Sequence, residues 1–270
     1  MELTNESYEK RYRAMDNVYI LKTAMKQSAV DLNCAAEDFT KSENVIVVSQ
    51  SDRQARKYLT LPFDCNLVTY GNNIVASAKP EYHGIINSYI SKYDASHCFE
   101  TPNMHVLGDA LAPFGLRVCF MAEYFLPDMN LLKPLPCEYE IRLLRQADFE
   151  GLYTEQWSNA LCEKRKELDI LGAGAYDGEK LVGLAACSAD CETMWQIGID
   201  VLPEYRRKGI ASALTSRLAV EIIDRGKVPF YCCAWCNLKS ARNALKSGFR
   251  PAWAEMTVRT AEFVNKMNRV

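Results

Sequence analysis

Nowhere in these 270 residues does an uncharged apolar run approach the roughly 20 residues needed to span a bilayer. The opening MELTNESYEKRYRAMDN is charged from end to end and lacks the apolar core of an export signal, so a cytoplasmic protein with no membrane partner is expected. An excess of one charge is missing as well. Lys and Arg number 32 against 34 Asp and Glu, a formal net charge of -2, which gives no footprint for a nucleic-acid partner. Histidine is scarce, and His83, His97 and His105 all fall in the first half without metal-ligand spacing. Neither G-x-x-x-x-G-K-[ST] nor G-x-G-x-x-G occurs, which argues against a nucleoside triphosphatase and a Rossmann dehydrogenase.

Cysteine, by contrast, is plentiful. Its eleven copies are scattered with no export signal ahead of them, so free thiols are expected rather than a disulfide framework. Cys187 with Cys191, and Cys232, Cys233 and Cys236, come nearest to a metal pattern. They lie in or beside strand-like runs where cysteine packs as a small hydrophobe, so we expect no metal.

Half of the residues are hydrophobic, enough for one large domain or two modest ones. Pro127, Pro134 and Pro136 make a linker, dividing the chain into a smaller N-terminal domain over 1–134 and a second domain over 135–270. The first domain reads as mixed α and β, with strands at 44–50 and 116–126, a hairpin over 65–78 turning at Gly71-Asn72-Asn73, and helical spacing over 81–93 and 103–115. The second begins with a strand over 139–144. A helix is expected next, with Asp148 as N-cap and an apolar stripe at Phe149, Leu152, Tyr153 and Trp157. A hairpin turning at Asp177-Gly178 follows, then strand 194–201, helix 209–225, strand 228–234, a helix from Asn237 to Ser247, and a final strand over 251–259.

VLPEYRRKGIASAL, residues 201–214, joins a strand to a helix through three cations and a glycine. The free N–H groups at such a helix start converge on an anion. Gly209 lets a phosphate approach the backbone, Ala211 keeps the next turn low, and Arg206, Arg207 and Lys208 add charge, an arrangement suited to a pyrophosphate. The bland reading is a solvated helix start.

The stretch Arg206-Arg207-Lys208-Gly209-Ile210-Ala211, with its lead-in Val201-Leu202-Pro203, resembles the acyl-CoA signature of the GNAT N-acetyltransferase superfamily. NLKSARNALKSGF resembles that family's next block through Asn237, Ser240, Gly248 and Phe249. The resemblance covers about 138–258. It implies an α+β fold with a mixed, mostly antiparallel sheet flanked by helices, and acetyl-CoA as cosubstrate. The whole chain also looks like two-part bacterial acetyltransferases, whose first part would be a smaller α/β domain or a degenerate GNAT-like fold walling the substrate cleft. The resemblance further implies that backbone groups of Ile199 and Val201 pair with pantetheine, that the amides from Arg206 to Ala211 hold the pyrophosphate, and that Asn237, beside Ser240, reaches the pantetheine. For Asn237 and Ser240 the bland reading is helix capping.

Transfer to an amine needs a base and profits from an acid. Relatives that place a tyrosine seven residues after the asparagine, or a glutamate five before it, have here Ala244 and Cys232. Tyr231 and Tyr205 are substitute proton donors by proximity in sequence. Asp190, Glu192 and Asp200 are the candidate catalytic carboxylates. Asp200 interrupts an apolar strand and is expected to face solvent or a cleft, because burying an unpaired carboxylate is costly. Two functions stand: an N-acetyltransferase acting on a small-molecule or peptide amine, and a catalytically weakened acyl-CoA-binding sensor or scaffold. The acceptor and the oligomeric state stay open.

Overall fold

The structure, a computed structural model, describes residues 15–269; the charged stretch 1–14 and Val270 lie outside the described residues. In chain order the elements are α1 (Asn17–Leu32), β1 (Val45–Val48), β2 (Cys65–Thr69), β3 (Val75–Ala78), α2 (His83–Ile90), α3 (Thr101–Leu111) and β4 (Leu116–Pro127). After these come β5 (Glu140–Arg145), β6 (Asp169–Asp177), β7 (Lys180–Ser188), β8 (Met194–Val201), α4 (Ile210–Asp224), β9 (Val228–Ala234), α5 (Leu238–Lys246), β10 (Phe249–Thr260) and α6 (Ala261–Met267). The fold is α+β, as expected, with mixed sheet and flanking helices.

The chain divides into two compact units, Met1–Thr23 with Phe125–Pro251, and Ala24–Tyr124 with Ala252–Val270. The expected boundary at 134/135 is a single cut, whereas these units interleave. The physical reason is strand pairing: Ala254 to Val258 of β10 lie antiparallel to Thr69 to Cys65 of β2, which ties the last strand to the early ones.

In the second unit the strand order is β1-β3-β2-β10-β4, with β1 parallel to β3 and β2 antiparallel to β3. Leu67, Ala76, Met256 and Val258 face Ile86, Ile90, Leu107 and Leu111 of α2 and α3 in one core. A polar network is also shut inside this unit. Arg56, 2% exposed, lays its Nε 2.9 Å from Asp31 Oδ2, donates to Ser28 Oγ and Tyr58 Oη, and stands 3.6 Å from Glu255 Oε1. Its guanidinium also lies 5.3 Å from the Trp253 ring centroid. Burial pushes the Glu255 carboxyl above its usual range. Gln27, Ser28 and Asp31 come from α1, whose buried face is therefore partly polar; hydrophobic periodicity does not reveal such a helix.

In the first unit β9-β8-β7-β6-β5 form a sheet in which only β8 and β9 are parallel. The α-helix expected after Asp148 is absent; short 3₁₀ turns at Gln146–Phe149, Glu155–Trp157 and Glu163–Leu168 replace it. Gly151 at φ +81° breaks the run, and the Asp148 carboxylate accepts from the Arg145 N–H behind it. The apolar stripe is nonetheless used, since Phe149, Trp157, Leu152 and Tyr153 pack against Leu184, Ala186 and Leu202. The proline-rich linker is docked: Leu132 is buried and the Leu135 N–H donates to Ser216 Oγ of α4. No described helix is long and apolar enough to cross a membrane. The eleven cysteines are free thiols. Among the described residues no cluster of three His, Cys, Asp or Glu could hold a metal.

Candidate functional site

Parallel strands β8 and β9 pair only from Met194–Val228 to Gln196–Phe230, then diverge into a fork. The Leu202 N–H donates to Val182 O of β7, while Thr193 O accepts from Val228 N on the opposite edge. Backbone direction alternates along a strand, so Ile197, Ile199 and Val201 turn their N–H and C=O groups into the fork. Ile199 and Val201 thus lie where a peptide-like arm could add as a strand.

Helix α4 starts at the open end of β8. Its N-cap Gly209 has φ +82° and no side chain caps the helix. The first intrahelical bond runs from Ala213 N to Gly209 O, leaving the amides of Gly209, Ile210, Ala211 and Ser212 ahead of it available to an anion. Arg207 has φ +65°, and the preceding residues turn as a 3₁₀ segment at Pro203–Tyr205. The three motif cations differ in posture. Arg206 Nε donates to Val201 O at 3.0 Å, and Lys208 Nζ donates to Tyr139 Oη at 3.0 Å and lies 5.0 Å from the Tyr205 ring centroid. That hydrogen bond raises the Lys208 pKa.

Asn237 is the N-cap of α5, its Oδ1 accepting from Ser240 N at 3.2 Å. Ser240 Oγ lies 2.6 Å from Tyr231 Oη, and Tyr231 follows the last paired residue of β9. Burial pushes the Tyr231 phenol up, so it keeps its proton at neutral pH. Tyr205 instead donates to Asp177 Oδ2 at 2.8 Å. Ala244 is buried on α5, and Cys232 Sγ accepts from Gln196 Nε2 at the root of the fork.

The three carboxylates have different surroundings. Asp200 does not hold its carboxylate free for a cleft: it accepts from Asn159 N (2.8 Å), Asn159 Nδ2 (2.7 Å) and Ala160 N (3.0 Å), clamping loop 158–161 onto β8. A strand glycine is the sequence signal for this close approach, since a Cβ on Gly198 would sit 1.9 Å from Asn159 O. Asp190 is fully buried, its Oδ1 3.6 Å from Arg165 Nε. Glu192 is exposed in the turn before β8, at the end of the strand opposite α4.

Asp169, which the motifs do not single out, shares the Arg165 and Asp190 enclosure, and burial pushes its pKa up to about 6 against the Cys162 N–H bond. The fold therefore favours the protonated form. Its stabilising contribution is present below pH 4 and is lost as pH rises through about 6. Against an Asp169→Asn variant, the wild type is expected to lose up to about 3 kcal/mol between pH 4 and 7, read by urea unfolding at each pH.

A family model described as GNAT acetyltransferase matches residues 116–253. No curated protein sequence matches. Among solved structures, a protein of the GNAT family from Novosphingobium aromaticivorans is 20% identical, with a TM-score of 0.39; the match covers 53% of this chain and 66% of that one, just short of two thirds of its length. A GCN5-related N-acetyltransferase-like protein from Streptococcus suis is 19% identical over 93% of this chain and 100% of that one, with a TM-score of 0.46. An aminoglycoside N-acetyltransferase in complex with CoA is 20% identical over 44% of this chain and 92% of that one, with a TM-score of 0.34.

Proposed function

Since the chain belongs to the GNAT acetyltransferase family, we propose that it transfers an acetyl group from acetyl-CoA to the amine of a small molecule by direct attack on the thioester. The observation that carries this reading is the fork between β8 and β9 opening beside the uncapped start of α4. Ile199 and Val201 would hold the amide-bearing pantetheine arm, and the amides of Gly209 to Ala211, with Arg206, Arg207 and Lys208 around them, would hold the pyrophosphate. Asn237 and Ser240 would border the arm from α5. The acetyl thioester supplies the activated acyl group.

In the step itself the neutral amine nitrogen forms a bond to the acetyl carbon and the C–S bond breaks. The amine proton passes to water, and the departing thiolate takes up a proton. An alkyl amine has a pKa near ~10, so it must lose a proton before attack. Tyr231, protonated and bonded to Ser240, would donate a hydrogen bond to the sulfur. The exposed Glu192 is the carboxylate left with access to solvent for relaying the amine proton, while Asp190 and Asp200 would serve the fold.

The sensor or scaffold reading draws support from the same facts: Asp190 and Asp200 are engaged, and Ala244 leaves no phenol on α5. The test of the main reading is calorimetric CoA binding, together with thiol release from acetyl-CoA offered with spermidine, kanamycin, lysine and a peptide with a free N-terminus. Saturable binding with amine-dependent release is expected. Saturable binding with no release on any amine would favour the sensor, and an absence of binding would overturn both readings. Gly209→Val, which strains a positive φ and fills the approach, is expected to weaken CoA binding at least about 100-fold.

A further inference from the structure

We infer that Lys246 of α5, outside the residues the loop motif supplies, pairs with the pyrophosphate of bound CoA at the Gly209 turn. This rests on the CoA-binding reading above. A Cβ built on Gly209 would meet one atom within 4.0 Å, the Nζ of Lys246, so the ammonium stands over the turn where the α4 amides converge. Two bonds set its helix against α4: Asn243 Nδ2 donates to Thr215 Oγ1 at 3.0 Å, and Ser247 Oγ to Ser212 O at 3.3 Å.

The charge of Lys246, like that of Arg207, is not drawn to any described side chain or carbonyl, in contrast to those of Lys208 and Arg206. Among the described residues Lys246 has no ion-pair partner, whereas Lys208 is drawn toward Tyr139 and Tyr205, and Arg206 Nε toward Val201 O. A lysine in the last turn of a helix also suits the helix dipole. The dipole alone, however, does not require the ammonium to lie over another helix's uncapped start. A phosphate seated on the Gly209 to Ala211 amides would meet a cation from α5 on its far side, so anion binding would tie α4 to α5.

The test is calorimetric binding of CoA and of 3′-dephospho-CoA to the full chain and to Lys246→Ala, with Lys266→Ala removing the same charge elsewhere on the surface. The expected result is a 10- to 100-fold loss of affinity for both ligands in Lys246→Ala, the size of one lost charge-assisted hydrogen bond, and no change in Lys266→Ala. Lys246→Arg is expected to bind within a few-fold of the wild type. Unchanged affinity in Lys246→Ala, or a loss confined to CoA and spared in the dephospho form, would overturn the assignment. A wild type that binds neither ligand would instead overturn the CoA-binding reading itself.

Discussion

Replacing Arg56 with alanine is expected to cost about 3–5 kcal/mol of unfolding free energy. The guanidinium, 2% exposed, is the positive charge placed between Asp31 and Glu255, both of them buried. Its removal takes the counter-charge from two buried carboxylates, removes one donor each from Ser28 and Tyr58, and opens a void beside Trp253 and Tyr124. Lysine at this position restores a charge but not the fork that reaches several acceptors at once, so Arg56→Lys should recover only part of the loss. Urea unfolding at neutral pH measures both. At pH 4 the Arg56→Ala deficit should shrink, because a carboxyl whose pKa is raised by burial, as that of Glu255 is, can then be neutral. A deficit below about 1 kcal/mol at neutral pH would mean that the network does not hold this unit together.

Gly198→Ala should be comparably severe for a different reason. The added methyl would lie 1.9 Å from the Asn159 carbonyl oxygen and 2.9 Å from its carbon, and a loop held to Asp200 by two backbone bonds and one from the Asn159 side chain cannot step aside without losing them. Each bond to a charged group contributes about 1.5–3 kcal/mol, so losing even two puts the expected cost at about 3 kcal/mol or more. For units of this size, roughly 2–4 °C of Tm is lost per kcal/mol. A scan showing Tm within about 2 °C of the wild type would sink the claim that loop 158–161 is clamped to β8.

The elements legible from residue order were those whose reasons are local. Asp177-Gly178 marked the β6–β7 hairpin, and the Arg206–Ala211 stretch marked the strand-to-helix turn, because each is decided by backbone freedom at one or two positions. Helix α1 escaped notice because it hides Gln27, Ser28 and Asp31, and the residue that makes their burial tolerable, Arg56, lies 25 positions beyond Asp31. The helix expected after Asp148 failed in the opposite way. Its apolar spacing is real and its side chains are buried, but Gly151 and three short turns present them without a helix.

The site divides along the same line. The strand-to-helix turn with its uncapped helix start could be read from six consecutive residues. The duty of Asp200 could not, since its donors Asn159 and Ala160 lie about 40 positions earlier. Nor could the nearness of Lys246 to Gly209, which depends on how two helices pack.

The interleaving of the two units bears on the order in which the protein can be made. Strand β10 lies between β2 and β4 in the second unit, and its Met256 and Val258 belong to the same core as Leu67 and Ala76. A ribosome delivers β1 to β4 first, then the whole of Phe125–Pro251, and only afterwards the strand that fills the gap. Until then β2 and β4 emerge with open edges, so the second-made segment, Phe125–Pro251, is the first able to close its sheet, reversing the usual order in which N-terminal domains fold ahead of later ones.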